Sequence, residues 1–484
     1  MTRTWSTYQQ DIFSFIEDET SGNAIIEAVA GSGKSTTIIE GMNRIPSSKT
    51  SIFLAFNKAI ADELKSKGVN ARTFHSLTYS PVLRARNVNT VDANKLRRVL
   101  DTEFDGRIRF IYGAFASKLV GLARQVGIGC LVRDTDDAWM DLVIQHDLEV
   151  ESEEGDLGTG IRVARDLLDF SNKARIVDFD DLLYLAVKDG VQLAKFDYVF
   201  VDEAQDTNAI QRAILRKIMK PSTRIIAVGD PAQAIYGFRG ADSNSMNLIA
   251  REFNCTALPL TVTYRCPTSV VAYAKQWVDH IEAADGAPEG SVTDLGAKWN
   301  PTMFRPGDLV VSRTTRPLLA LGFKMLQAGI PVRILGRELG QGLIKLVQKM
   351  KCSTVDDMLT ALANWETRES EKALVKQDDA KCERISDQAS AIRCIADGLS
   401  EDKRTLTALF DVISTLFDAP GNATILCTIH KAKGLEADTV YWLGRSKCPS
   451  KWARQKWQKQ QEANLCYVAT TRARKSLVII EEAE

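Results

Sequence analysis

A chain in which IIEAVAG, SIFLAFN, DYVFVDEAQD, RIIAVGDP, GDLVVSR, TILCTIH, TVYWLGR and SLVII recur between helix-like or turn segments has few folds open to it. Each run is short, rich in β-branched residues, and apolar at nearly every position instead of at alternate ones. Strands of that kind lose water from both faces, as they do in a parallel sheet covered by helices on either side. The expected class is therefore α/β, built from parallel sheets with helical crossovers.

The length of 484 residues exceeds what one core holds and suits roughly two to four lobes. Two long stretches lack strand-like runs. Residues 81–164 (VLRARNV, ANKLRRVLDTEF, AWMDLVIQHDL) and 341–420 (GLIKLVQKM, MLTALANWE, AIRCIADGL, LTALFDVISTLF) carry apolar residues three and four apart, the spacing of one helix face. They read as helical insertions in an α/β framework that is split into an early and a late half. The expected division is 1–80 with 165–250 as a first lobe, 81–164 as its insertion, 251–340 with 421–484 as a second lobe, and 341–420 as a smaller insertion. GAPEGSV at 286–292 reads as a loop.

With 62 basic and 62 acidic residues there is no overall excess of charge, so a nucleic-acid partner requires a local basic groove. The nine cysteines form no CxxC pair and no cluster with histidine, which argues against a zinc site or a disulfide framework and fits a reducing cytoplasm. The N-terminal MTRTWSTYQQDIFSF has neither a long apolar core nor a small-residue cleavage pattern, and no window reaches ~18 uninterrupted apolar residues.

IIEAVAGSGKSTT, residues 25–37, carries the sharpest chemistry. An apolar strand runs into small residues and then Gly33-Lys34-Ser35, close to the phosphate-binding pattern of Gly, four residues, Gly-Lys and Ser or Thr, with Ala28 in place of the first glycine. Such a loop turns backbone N–H groups inward around phosphates. Ala30, Gly31, Ser32, Gly33, Lys34, Ser35 and Thr36 are the candidates, with the Lys34 charge at the β/γ position and the Ser35 hydroxyl on Mg²⁺. The strand Tyr198–Val201 runs into Asp202-Glu203, so that Asp202 reads as the second group for Mg²⁺ and Glu203 as the residue that orients or deprotonates an attacking water. An acidic start to the following helix is the plainer reading of the same pair.

Asp202-Glu203-Ala204-Gln205-Asp206 is followed in order by GDPAQAIYGFRGA at 229–241, LTVTYR at 260–265, TIHKAKGLE at 428–436 and YVATTRA at 467–473, and preceded by YQQ at 8–10, AFNKA at 55–59 and TFHS at 73–76. This series resembles the motifs of superfamily 1 helicases of the UvrD/Rep/PcrA type. The wording is most similar to the branch containing the F-box DNA helicases and phage or bacterial homologues, although no stretch reads as an F-box. The resemblance implies two RecA-like lobes with ATP bound between them, Mg²⁺ beside the phosphates, and hydrolysis that drives 3′→5′ translocation on single-stranded DNA and unwinding of duplex in replication, recombination or repair.

The same resemblance assigns roles one residue at a time. Gln9, with Gln10 as the competing choice, reads the adenine edge, and Tyr264 stacks on the base unless it is a core tyrosine. Arg265 and Arg472 stabilise charge on the γ-phosphate, the alternative being surface ion pairs. Gln233 senses that phosphate, Arg239 links the sensing to DNA, and Glu436 holds a ribose hydroxyl, with a structural role as the alternative for each. The DNA track is implied at Phe56, Asn57, Lys58, Thr73, His75, Tyr236, Phe238, Thr428 and His430, which combine rings with phosphate-binding groups. Implied partners are single-stranded DNA and single-strand/duplex junctions, with single-strand-binding or recombination proteins beside them, and the chain is read as a monomer without a membrane partner.

Two other activities stay beside this one: a translocase that strips bound proteins with little unwinding, and a slow ATP switch that clamps DNA. Asp178-Phe179-Asp180-Asp181, followed by LLYLAV, reads as an acidic helix start in preference to a metal site. Residues 447–459 interleave Lys451, Arg454, Lys456 and Lys459 with Trp452 and Trp457, which suits either a nucleic-acid or partner grip or an amphipathic helix.

Overall fold

The computed structural model describes residues 4–482 apart from 147, 153, 236–243, 376–378, 402–403, 419–420 and 452. Contacts divide the chain into two units, one made of the residues up to Ala28 with Gly33–Leu260 and the other of Val29–Ser32 with Thr261 onward.

In the first unit, β1 (Asn23–Ala28), β2 (Ser51–Leu54), β3 (Ala71–Arg72), β4 (Phe196–Val201), β5 (Met219–Gly229) and β6 (Cys255–Leu260) form one sheet in the order β3-β2-β4-β5-β1-β6. Every pairing is parallel. Its helices are α1 (Thr7–Glu17), α2 (Lys34–Asn43), α3 (Lys58–Ser66), α4 (Phe74–Arg86), α5 (Lys95–Glu103), α6 (Gly106–Val126), α7 (Asp136–His146), α8 (Leu157–Lys173), α9 (Phe179–Lys188), α10 (Ala209–Lys217) and α11 (Ser245–Glu252).

Alternate residues of the central strands enter two separate cores. Ile26, Phe53, Phe200 and Ile226 join Ile12, Ile16 and Ile38 on one face, while Ile25, Ile52, Val199 and Ile225 join Leu77, Leu119 and Leu182 on the other. Burial on both faces is what the continuous apolar runs require, at about 1.5–3 kcal/mol for each large side chain removed from water.

The second unit contains a short parallel pair, β7 (Val262–Thr263) with β8 (Glu282–Ala283). Its main sheet is formed by β9 (Ser291–Gly296), β10 (Leu309–Ser312), β11 (Val332–Ile334), β12 (Thr424–Thr428), β13 (Ala437–Leu443) and β14 (Ala473–Ile480), in the order β11-β12-β10-β13-β14-β9 and again parallel throughout. Its helices are α12 (Thr268–Ala274), α13 (Arg316–Gln327), α14 (Arg337–Lys349), α15 (Val355–Val375), α16 (Asp379–Asp397), α17 (Leu406–Asp418), α18 (Ile429–Ala432) and α19 (Lys456–Thr470). Val310, Leu426 and Tyr441 pack with Leu319, Val347, Met358, Ile392 and Ile413 in its core. The fold is thus α/β, with two parallel-sheet units. No described helix is long and apolar enough to cross a membrane.

The loop expected at 286–292 ends earlier than its composition suggests, because Ser291 already pairs with Ser476 as β9 joins the sheet edge. The acidic run at 178–181 does begin a helix: the Asp178 carboxylate accepts from the Asp181 N–H at 2.9 Å, and Asp181 returns the bond to the Asp178 N–H at 2.9 Å.

Those two aspartates also anchor a buried ion cluster that joins four helices. Lys95 on α5 meets Asp181 at 2.5 Å, with both side chains fully enclosed. Arg124 on α6 reaches Asp178 at 2.9 Å, Asp181 at 3.1 Å and the Ser171 hydroxyl of α8 at 2.6 Å. Burial lowers the proton affinity of Lys95, while the Asp181 carboxylate opposes that shift. Charges taken this far from water are tolerated because each has a partner, so removing one partner is costlier than replacing both. Lys95→Met is expected to destabilise the unit by about 3 kcal/mol in a urea titration, and Lys95→Met/Asp181→Asn by less than the sum of the two single changes.

Candidate active site

Because the strands of the first sheet are parallel, the loops that follow them leave from one edge. Ala28 ends β1, Leu54 ends β2, Arg72 ends β3, Val201 ends β4 and Gly229 ends β5. Ligands of open parallel sheets bind at that carboxyl edge. Apart from Gln9 on α1, the described sequence-derived candidates of this unit stand just beyond these five ends, in the loops or in the first turns of the helices that follow.

After β1, Gly31 and Gly33 adopt left-handed backbone with φ of 75° and 80°, which a side chain would strain. The buried Ser32 hydroxyl donates to the Val29 carbonyl at 2.8 Å and closes the loop on itself. Gly33 precedes α2 and supplies no side-chain cap, so the first-turn N–H groups that Lys34, Ser35 and Thr36 contribute are suited to an anion. The Ser35 hydroxyl stands 3.5 Å from Asp202 Oδ2. A hydroxyl and a carboxylate converging there are hard oxygen donors of the kind Mg²⁺ takes.

Gln9 is buried beside α2. Its Nε2 donates to Thr37 Oγ1 at 2.9 Å and its Oε1 accepts from the Ser6 N–H at 3.1 Å, whereas Gln10 bonds the Trp5 carbonyl at the surface.

After β4, the Asp202 carboxylate accepts from the N–H of Glu203 at 2.9 Å. Glu203 itself is left-handed, with φ 50° and ψ 44°, at the entry of a short helical turn, Ala204–Asp206. Few non-glycine residues sit there without a reason, and here the conformation swings the carboxylate out of the strand direction. After β5, Asp230 is buried and accepts from Gln233 Nε2 at 2.6 Å. Burial raises its proton affinity, and the Lys34 charge acts in the opposite sense. Tyr236, Phe238 and Arg239, the further candidates that follow in sequence, lie outside the described residues.

The residues after β2 and β3 divide their work. Asn57 caps α3 by accepting from the Ile60 N–H at 2.9 Å, and Thr73 caps α4 by accepting from the Ser76 N–H at 3.1 Å. Their polar atoms therefore hold helix starts, a role the motif reading did not include. Lys58 is 88% exposed and pairs with Asp62 at 3.1 Å. Phe56, 46% exposed, and the half-buried His75 line a cavity of about 310 Å³ together with Arg124, Asp180, Tyr184 and Asp206. Arg124 escaped the sequence reading, and Asp180 was read only as part of an acidic helix start, because both arrive from distant helices.

In the second unit, Thr428 ends β12 and His430 follows it in α18, at the carboxyl edge of the sheet. Glu436 and Arg472 stand at the opposite edge, just before β13 and β14. Arg265 Nε donates to Glu436 at 2.5 Å and Arg265 Nη1 to the Thr471 carbonyl at 3.3 Å. Arg472 is buried, with Nε on the Val468 carbonyl at 2.9 Å and Nη2 on Thr471 Oγ1 at 3.1 Å. Tyr264 is 51% exposed, as a stacking ring requires. Of the basic and aromatic segment 447–459, Trp452 lies outside the described residues, and Trp457 enters the first turn of α19 with its indole N–H on Gln455.

Burial holds His75 below its ordinary value of 6.5, and it holds His146 down as well, with Lys118 adding to the effect. A folded-state value below the unfolded one means that the unfolded chain takes up these protons first. Their contribution to stability is complete above pH 6.5 and is lost as pH falls through the folded values. Urea titrations are expected to give a smaller unfolding free energy at about pH 5.5 than at about pH 7.5, and His75→Gln should remove part of that difference.

Residues 9–254 match the UvrD/REP helicase N-terminal domain and residues 337–484 the UvrD-like helicase C-terminal domain. F-box DNA helicase protein 1 of Schizosaccharomyces pombe is 26% identical over 510 residues, covering 94% of this chain and 55% of that protein. F-box DNA helicase 1 of Gallus gallus is 25% identical over 514 residues, covering 95% of this chain and 47% of that protein. The ATP-dependent DNA helicase PcrA of Leuconostoc citreum is 33% identical over 118 residues, 22% of this chain and 16% of that protein. The chain spans about half the length of the first two relatives. With a phosphate loop, an acidic strand end and a glutamine-bearing turn on successive ends of one parallel sheet, and with these matches on both halves, the chain belongs to the UvrD/REP helicase family.

Proposed function

We propose that this chain is an ATP-driven motor that moves 3′→5′ along single-stranded DNA and separates duplex ahead of it. The observation that carries the proposal is the shared carboxyl edge of the first sheet. The loops after β1, β4 and β5 bring Lys34, Ser35, Asp202, Glu203 and Gln233 to one edge, and the loops after β2 and β3 bring Phe56 and His75 to the same edge. Groups suited to a triphosphate and groups suited to stacking on bases then share one rigid scaffold, so a change at one reaches the other through a few short loops.

In this reading Lys34 and the first-turn amides of α2 hold the phosphates, and Glu203 orients the attacking water or accepts its proton. Ser35 and Asp202 would hold Mg²⁺, which supplies charge neutralisation at the β- and γ-oxygens when bound. Gln9, buried against α2, is favoured over the exposed Gln10 for the adenine edge. Tyr264, Arg265, Glu436 and Arg472 serve the base, γ-phosphate and ribose from the second unit. Thr428 and His430, with Tyr236, Phe238 and Arg239 of the first unit, complete the DNA track. The helical stretches 81–164 and 341–420 are read as the two insertions of the motor, and the first contains most of α5–α8.

Steady-state ATP hydrolysis with and without single-stranded DNA tests the proposal. Wild type is expected to be stimulated at least about tenfold by DNA. Lys34→Ala should lose nucleotide binding, and Glu203→Gln should keep binding but lose about 10²–10⁴ in kcat. Hydrolysis indifferent to DNA would move the assignment to a slow nucleotide switch. Displacement of an annealed strand from substrates with 3′ or 5′ overhangs then reads polarity, and protein displacement without strand separation would identify a stripping translocase.

A further inference from the structure

Gln205 has no role in the reading above, yet it is 2% exposed and bonded in two directions. Its Oε1 accepts from the backbone N–H of Asp230 at 3.0 Å, and its Nε2 donates to the Glu203 carboxylate. The orientation of this amide follows from its partners. A backbone N–H can only donate and an ionised carboxylate can only accept, so the oxygen must face Asp230 and the nitrogen must face Glu203. Asp230 in turn holds Gln233 through its side chain at 2.6 Å. Glu203, Gln205, Asp230 and Gln233 thus form one continuous hydrogen-bonded chain from the end of β4 to the turn after β5.

The seat for this amide depends on the residue beside it. A Cβ on Gly229 would run into the Gln205 side-chain oxygen and would stand 2.8 Å from Met246 Sδ and 3.0 Å from the Gln205 backbone nitrogen. Gly229 is not among the glycines with positive φ, so its glycine is required by space and not by backbone conformation.

We infer that Gln205 is the positioning residue of the hydrolytic carboxylate: it holds Glu203 in place and ties it to the turn that carries Gln233. The inference rests on the reading of Glu203 as the group that acts on the attacking water. A neutral amide is the suitable link because Asp230 is itself a buried acid close by. A third carboxylate in its place would repel both, whereas the amide donates on one side and accepts on the other.

The test is DNA-stimulated ATP hydrolysis at saturating ATP, together with equilibrium binding of a fluorescent ATP analogue, for wild type, Gln205→Met and Gln205→Glu, each also combined with Glu203→Gln. Both variants are expected to bind the analogue within about twofold of wild type and to lose about 10- to 100-fold in kcat. In a Glu203→Gln background the same Gln205 changes should cost less than about twofold further in kcat, because a residue that acts only through Glu203 then has nothing left to position. A full further loss in the Glu203→Gln background would show a merely structural role and overturn the inference, as would an unchanged kcat in the single variants. If Gln205→Met fails to fold, Gln205→Glu, closest in size, carries the same comparison. Failure of the underlying reading is separate, since it appears as Glu203→Gln hydrolysing ATP at the wild-type rate.

Discussion

Parallel strands cannot be joined by hairpins. Each connection must return to the edge from which the previous strand started, usually through a helix, so the loops that leave the strands collect at the other edge. Everything functional in the first unit depends on that constraint. Five strand ends, far apart in sequence from Ala28 to Gly229, deliver their following residues to a common edge. The phosphate loop, the acidic pair, the buried Asp230 with Gln233, and the exposed ring of Phe56 need no special long-range device to share that edge. They share it because every pairing in the sheet is parallel.

The legibility of the fold followed the same physics. The continuous apolar runs correspond to β1, β2, β4, β5, β10, β12, β13 and β14, all interior strands of the two sheets. In these two sheets the strands that composition did not reveal, β3, β6, β9 and β11, are the four edges, and the short pair β7–β8 was not revealed either. An edge strand has a neighbour on one side only, and β9 and β6 bury few of their side chains, so neither carries a continuous apolar run. Much of the candidate site was equally local in origin. Gly33-Lys34-Ser35 and Asp202-Glu203 were readable because spacing along the chain fixes which atoms meet. Gln205 was quoted as part of a motif without a function, because its second partner lies 25 residues away across the sheet. Arg124, and the place of Asp180 in the cavity, were out of reach for the same reason, and the capping bonds of Asn57 and Thr73 show that a residue in a suggestive motif can also hold a helix start.

The buried ion cluster sits where the helical stretch before β4 meets the sheet layer. Lys95, Arg124 and Ser171 come from α5, α6 and α8, while Asp178 and Asp181 begin α9, which packs under the sheet. Apolar packing between helices tolerates small slides, because dispersion has little directionality. Charged groups with fixed partners in a dry interior do not, since each displaced contact leaves a desolvated charge. The cluster therefore sets the register of α5, α6 and α8 on α9. Since Arg124 also lines the cavity of Phe56 and His75, the shape of that cavity is bound to the same register.

The missing side chain at Gly229 has a consequence for how such a sequence can change. The glycine leaves room for one particular amide, so positions 205 and 229 are a single volume shared between two residues. A smaller side chain at 205 would relieve the crowding that an alanine at 229 creates at the amide oxygen, though not the approach to Met246 and the backbone. Neither position is free to drift alone, and related chains that depart from glycine here should depart from glutamine there.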